Sequence, residues 1–133
     1  MRSMTIVSKQ ATGMTADALI GDESALRALV DTWPPGAGVA LDTEFVRERT
    51  YYPRLCLMQV SVAGSLALID PLAIADARVF IGSLTDPGRP KLLHAARQDI
   101  EALRPLTGAP LAPVFDTQLA AALLGFAAQI GYA

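Results

Sequence analysis

The sequence predicts an α/β domain with a mixed sheet, in which three antiparallel strands come first, parallel strand–helix units follow, and helices lie on both faces. Three observations predict this arrangement. An amphipathic helical pattern precedes three short apolar runs, a glycine turn joins the second and third of those runs, and apolar runs then alternate with helical segments. At 133 residues the chain has the length of one domain with a buried core.

The individual elements are predicted from capping residues, apolar spacing and turn residues. Asp22 suits a helix N-cap, and apolar residues recur after it at helical spacing until Pro34 and Pro35 end the helix. Ala63 and Gly64 lie between two apolar runs and predict a hairpin. The predicted strands are 39–45, 55–62, 66–70, 91–95 and 114–115. The further predicted helices are 76–84, 97–104 (which ends before Pro105) and 117–126.

Composition and charge exclude two classes of protein. The chain is 52% hydrophobic, but no apolar run reaches the roughly 20 residues of a membrane-spanning helix. A net charge of −2 excludes nucleic-acid binding by bulk positive charge and leaves open local basic patches and metal ions. The single cysteine, Cys56, lies in an apolar run, which predicts a buried thiol in a reducing compartment. We therefore expect a cytoplasmic domain over residues 18–133 that follows a disordered segment, 1–17.

Carboxylates lie at the ends of several predicted strands. Asp42 and Glu44 are two residues apart, so a strand presents them on one face at its carboxyl end, where open α/β sheets bind ligands. Two such charges repel each other, and a divalent ion between them would relieve that repulsion. The alternative is a turn capped by Asp42 with Glu44 in solvent. Asp99 lies early in a predicted helix, where it could serve the helix dipole, and Asp116 is placed to be an N-cap.

Four separated blocks of the sequence resemble one family. They are, in order, LDTEFVRERTYYPRLCLMQVS, LALIDPL, KLLHAARQDIEAL and FDTQLAAALLG. Together they resemble the exonuclease domain of the ribonuclease D family, 3′–5′ exoribonucleases of the DEDD superfamily with a ribonuclease H-like fold. The resemblance covers residues 18–133. It implies a metal-dependent 3′–5′ exoribonuclease acting on structured RNA precursors such as tRNA.

The resemblance also implies cofactors and catalytic residues. Two divalent ions, Mg²⁺ or Mn²⁺, held about 4 Å apart would activate a water and stabilise the attacking and leaving oxygens of phosphodiester hydrolysis. Asp42 matches the carboxylate that bridges the ions, Glu44 a ligand of the first ion, and Asp99 the acid on the side of the second. Asp116 matches a position outside the catalytic acids, so we expect it to cap a helix or support the site.

The family's fourth acid has no match in this sequence. It belongs to a Tyr-x-x-x-Asp or His-x-x-x-x-Asp motif, and neither follows Asp116; Tyr132 is followed only by Ala133. We therefore expect a domain that is incomplete at its C-terminus and slower than a complete enzyme. The alternative is a catalytically impaired nucleic-acid-binding or interaction module. His94 precedes Asp99, so a structural or substrate-side role is expected for it.

A basic and aromatic segment follows the acidic pair. Cations interleaved with aromatic rings suit a single-stranded RNA 3′ end, although the same segment could be a solvated loop. Arg97 could meet a phosphate or pair with Glu101. The residues expected to contact RNA are Phe45, Arg47, Arg49, Tyr51, Tyr52, His94 and Arg97. Residues 117–133 are apolar almost all round, so we expect self-association through them.

Overall fold

The structure, a computed structural model, describes residues 19–131. The predictions for residues 1–17 and for Tyr132 lie outside the described residues. The strands are β1 Leu19–Ile20, β2 Val39–Val46, β3 Arg54–Val62, β4 Ser65–Ile69, β5 Lys91–Leu93 and β6 Val114–Asp116. The helices are α1 Glu23–Asp31, α2 Arg78–Thr85, α3 Arg97–Thr107 and α4 Thr117–Leu123.

The six strands form one mixed sheet in the order β1-β4-β3-β2-β5-β6. Strands β2, β3 and β4 are antiparallel neighbours, while β2, β5 and β6 pair in parallel. The predicted fold class is therefore confirmed, with β2 as a middle strand. This position gives β2 a partner on each side: β3 pairs with it from Ala40 to Val46, and β5 pairs with Val39 and Ala40.

Local sequence accounts for the start of α1 and for the β3–β4 hairpin. The side chain of Asp22 accepts a hydrogen bond from the Ala25 amide at 2.8 Å, which caps the helix as predicted. Ala63 and Gly64 both have positive φ angles, 49° and 85°, and connect Val62 to its cross-strand partner Ser65. Two consecutive positive φ angles give a two-residue turn whose twist matches that of the flanking strands.

The core lies between the sheet and helices α1, α2 and α3. Leu26, Phe80 and Leu103 contribute one fully buried side chain from each helix. They pack over the face of β2 that carries Val39 and Leu41. The opposite face is open: alternate β2 residues there are exposed, and a cleft of about 310 Å³ lies over it. The first residue of α4 lines that cleft, so helices occur on both sides of the sheet.

Two cationic side chains, Lys91 and Arg89, are buried at the end of the sheet where β5 begins. Lys91 is fully buried, and its Nζ donates to the carbonyl oxygens of Asp86 at 2.5 Å and Ala112 at 2.8 Å. Burial lowers the pKa of the Lys91 amine. Arg89 donates to the Ala37 carbonyl at 2.8 Å. Backbone carbonyl oxygens therefore accept hydrogen bonds from both buried cations, which reduces the cost of removing them from water.

Four predicted element boundaries are wrong. α2 begins at Arg78 and not at 76, because Asp76 lies before the helix and its Oδ1 accepts a hydrogen bond from the Arg78 amide at 3.0 Å. α3 continues through Pro105 to Thr107, because a proline near a helix end removes only one hydrogen bond and Gly108 then caps the helix in the left-handed conformation. α4 ends at Leu123, and Gly125, with a φ of 92°, turns the chain before the predicted end at 126. Strand β5 stops at Leu93, short of 95, because Ala95 has a positive φ of 56° and breaks the extended backbone.

Two further features differ from the sequence-based prediction. β1 was not predicted, because two residues carry no periodic pattern and the strand is defined by its parallel pairing with Leu68 and Ile69. Cys56 is half-buried, not buried, and its Sγ lies 3.4 Å from the Arg54 carbonyl oxygen. Among the described residues, no helix is long and apolar enough to cross a membrane.

Candidate active site

The acidic pair lies on the open face of β2, as alternation along a strand requires. Asp42 and Glu44 are both exposed, whereas Thr43 between them is only 6% exposed and points to the covered face. Asp42 Oδ2 lies 3.5 Å from the side-chain amide nitrogen of its cross-strand partner Gln59. The pairing register shifts between Glu44 and Phe45, so the strand bends directly after the acidic pair. Asp42 also lines the 310 Å³ cleft.

Asp99 approaches β2 from the first turn of α3 and is 7% exposed. Its Oδ1 accepts hydrogen bonds from the hydroxyl of Thr43 at 2.6 Å and from the Thr43 amide at 3.2 Å. Burial raises the pKa of the Asp99 carboxyl, the hydrogen bonds from Thr43 oppose that rise, and the negative charge of Asp42 adds to it. Asp99 therefore lies within electrostatic reach of Asp42.

The three acids do not form a ready-made metal cluster. Asp42 and Glu44 project from the open face, while Asp99 is held against the covered face through Thr43. In the part of the chain that the structure describes, no group of three or more His, Cys, Asp or Glu side chains is placed to hold a metal ion. The donor chemistry nevertheless fits a hard divalent cation, because all three offer carboxylate oxygens and the Asp42–Asp99 repulsion is what a cation would relieve.

Asp116 connects two helix starts. Its side chain accepts from the amides of Gln118 and Leu119, which caps α4, and from those of Ala95 and Ala96, which precede α3. Desolvation opposes ionisation, but the four backbone donors outweigh it and lower the pKa of the Asp116 carboxyl. Asp116 thus fixes the segment that leads into the helix carrying Asp99.

The basic segment after β2 forms a surface with the start of α3. Arg47 and Glu101 make an ion pair at 2.8 Å, and Arg97 lies 3.7 Å from the same carboxylate. The rings of Tyr51 and Tyr52 meet edge to face at 4.8 Å between centroids, and Tyr51 is 86% exposed. A cavity of about 300 Å³ is lined by Arg47, both tyrosines and Glu101. The structure therefore brings together four of the seven residues predicted to bind RNA.

The remaining predicted RNA-binding residues do not line that cavity. Phe45 packs against the core and Arg49 is exposed, with a positive φ of 51°. The ring of His94 lies between Thr117 Oγ1, 2.9 Å from Nδ1, and the Ile130 carbonyl oxygen, 2.8 Å from Nε2. A carbonyl oxygen can only accept, so Nε2 carries a proton. His94 therefore joins the start of α4 to the segment that follows it.

The sequence reasoning missed two residues of this region. Thr43 lies between two candidate ligands, and strand alternation places its side chain on the covered face, but nothing local signals its partner 56 positions along the chain. Glu101 was considered as a partner of Arg97 alone, whereas its shorter contact is with Arg47.

A comparison with known protein families identifies the family to which the chain belongs. The family model described as a 3′–5′ exonuclease matches residues 18–133. The chain belongs to the 3′–5′ exonuclease family.

Relatives of this exonuclease chain include ribonuclease D enzymes. Ribonuclease D of Acidiphilium cryptum is 44% identical over 115 residues, which are 86% of this chain and 29% of that protein. The crystal structure of Escherichia coli RNase D, an exoribonuclease involved in structured RNA processing, has a TM-score of 0.78 at 41% identity and covers 86% of this chain and 31% of that one. These similarities confirm the predicted resemblance.

A more distant neighbour is a structure with a metal ion. Brucella melitensis NrnC with bound Mg²⁺ has a TM-score of 0.61 at 29% identity, and the match covers 71% of this chain and 47% of that one. The chain spans less than a third of the length of the curated ribonuclease D relatives above, 29% in the case of the Acidiphilium protein.

Proposed function

We propose that residues 18–133 form a metal-dependent 3′–5′ exonuclease domain that removes nucleotides from RNA 3′ ends. The main observation behind this proposal is the placement of Asp42 and Glu44 on the open face of β2. Asp99 is buried nearby, and its pKa is raised by burial and by the charge of Asp42. Family membership supplies the reaction class, hydrolysis of a phosphodiester bond.

The proposed cofactors are two divalent ions, Mg²⁺ or Mn²⁺, held by Asp42, Glu44 and Asp99. When bound, such ions stabilise charge on the attacking and leaving oxygens of the displacement. The protein's own contribution is to present carboxylate oxygens at fixed positions. β2 holds two of them through its antiparallel pairing with β3, and α3 holds the third through its contact with Thr43. The Mg²⁺ in the NrnC structure supports the choice of ion.

The proposed substrate is a single-stranded RNA 3′ end, and by analogy with the E. coli relative we extend this to structured precursors such as tRNA. Arg47 and Arg97 both contact the carboxylate of Glu101, so a phosphate could replace that anion. The exposed ring of Tyr51 offers a stacking surface for a base. A cytoplasmic location belongs to the same proposal, because the one cysteine and an RNA substrate both fit it.

Self-association through residues 117–133 is a further part of the proposal, with a second copy of the chain as the partner. Four apolar side chains of this segment are 58–82% exposed: Leu119, Leu123, Leu124 and Phe126. Large apolar side chains exposed close together in the sequence suit a protein–protein contact.

A catalytically impaired nucleic-acid-binding or interaction module is the second candidate function. One observation favours it: among the described residues, the carboxylates are not gathered into a group that could hold a metal. The two candidates differ in turnover, because a binding module retains RNA without shortening it.

The test is Mn²⁺-dependent shortening of a 5′-labelled single-stranded RNA, with a 3′-blocked RNA as the control substrate. Asp42→Asn and Glu44→Gln should each reduce the rate by more than the roughly 100-fold typical of residues that only support a ligand. Asp31→Asn, a matched change of an exposed acid at the end of α1, should leave it unchanged. RNA binding without shortening at any metal concentration would favour the second candidate, and shortening that resists chelator would refute metal dependence.

A further inference from the structure

Thr43 makes two hydrogen bonds to a single oxygen atom of Asp99. Its hydroxyl lies 2.6 Å and its amide 3.2 Å from Oδ1. Both residues are more than nine-tenths buried, Thr43 at 6% and Asp99 at 7% exposure. A hydroxyl that donates to a carboxylate at this distance makes a charge-assisted bond, which is stronger than one between neutral groups.

The position of Thr43 in the chain means that its contact with Asp99 links two structural elements. Thr43 lies between Asp42 and Glu44, on a strand whose antiparallel pairing with β3 includes all three residues. A bond from Thr43 therefore fixes Asp99, on a different element, relative to the strand that carries the other two acids. Both bonds end on Oδ1, so neither of them occupies Oδ2.

We propose that Thr43 is a positioning residue of the metal site, which orients the carboxylate of Asp99 so that Oδ2 can bind a divalent ion. The inference rests on the proposed function, since it assigns Thr43 a role in the same metal site. Thr43 acts through Asp99 and touches neither metal nor RNA.

The side chain of threonine suits this role for two reasons. Its hydroxyl supplies the donor, and its branched Cβ restricts χ1, so the donor is held in one direction. Valine has the same shape without the donor, whereas serine keeps the donor without the branch. The two substitutions therefore separate hydrogen bonding from side-chain stiffness at one buried position.

The experiment measures Mn²⁺ binding to the 133-residue chain by titration calorimetry, with the metal-dependent rise in melting temperature as a second readout. Thr43→Val should weaken Mn²⁺ binding by about 10–100-fold, the range for residues that orient a ligand. Thr43→Ser should weaken it by about 3-fold or less, because its hydroxyl still reaches Oδ1. Thr85→Val, which removes a hydroxyl bonded to the Ile81 carbonyl in α2, is the matched control and should bind like the parent chain.

A double-mutant comparison tests whether Thr43 acts through Asp99. In an Asp99→Asn background, Thr43→Val should produce no further loss of Mn²⁺ affinity, since the carboxylate that it positions is gone. If Thr43→Val prevents folding, Thr43→Cys takes its place, because a thiol is a weak donor of similar size.

The outcomes separate this inference from the proposed function. If Thr43→Val lowers the melting temperature of the metal-free chain and leaves Mn²⁺ affinity within about 2-fold of the parent, Thr43 has only a structural role and the inference is wrong. An additive effect of the two substitutions would also overturn it. If the parent chain binds no Mn²⁺, the proposed metal site fails and the inference falls with it.

Discussion

Replacing Asp116 by alanine removes one carboxylate that holds two helix starts. The lost contacts with Gln118 and Leu119 are a helix cap, worth about 1 kcal/mol. The lost bonds to the amides of Ala95 and Ala96, at 3.0 and 2.9 Å, add about 1 kcal/mol each at most, and less at Ala95, which is exposed. We therefore expect Asp116→Ala to lower the free energy of unfolding by about 2–3 kcal/mol.

Asp22→Ala is the matched control for this substitution. Asp22 also caps a helix, but its side chain accepts one hydrogen bond, from Ala25, and makes no cross-connection. Its loss should therefore lower stability by about 1 kcal/mol. Urea denaturation of both variants and the parent chain at pH 7 gives the difference, which isolates the bonds that Asp116 makes to the start of α3.

The pH dependence gives a second check. The folded-state pKa of Asp116 lies below its ordinary value of 3.8, so its stabilising contribution is present above pH 3.8 and is lost as pH falls through the folded value. The stability gap between parent and Asp116→Ala should therefore narrow as the pH falls below the ordinary value of 3.8. An Asp116→Ala variant that loses no more stability than Asp22→Ala, or a gap that widens on acidification, would refute the reasoning.

Two further predictions concern the surfaces on either side of the sheet. Arg47→Ala should weaken RNA binding, measured by fluorescence anisotropy, and should reduce the slope of log binding constant against log salt concentration by about one unit. Arg78→Ala, which breaks an exposed ion pair at the start of α2, is the control and should change neither quantity. Equal losses in the two variants would contradict a phosphate contact at Arg47. Leu123→Lys with Leu124→Lys should convert a self-associating chain to a monomer in light scattering over a concentration series, because both side chains are about four-fifths exposed; a parent chain that is monomeric throughout would contradict the proposal.

Features with local causes could be predicted from the sequence, and features fixed by distant partners could not. Asp22 reveals the start of α1 because a cap needs only the next three residues. Asp42 and Glu44 share a face because strand geometry alone decides it. The contact between Thr43 and Asp99 depends on how α3 packs against β2, and no local pattern encodes that. Strand β1 exists through its pairing with β4, and its two residues carry no signal of their own.

The end of α3 shows a second reason why a sequence-based prediction can fail, since the helix continues past Pro105. A proline predicts the end of a helix from the hydrogen bond that it removes, but the cost of that loss depends on how much helix follows. Here the helix has only two more residues before Gly108 caps it, so the loss is small. The sequence contained both signals, the proline and the glycine, and the glycine decided the boundary.

The burial of Lys91 makes this side chain an internal reporter of folding. The sequence contains two lysines, Lys9 and Lys91, so few amines compete for an acylating reagent. Lys91 Nζ is fully buried and bonded to two backbone carbonyls, so the reagent can reach it only when the core opens. The acylation rate at Lys91, followed by peptide mass spectrometry, would therefore report how often the domain opens.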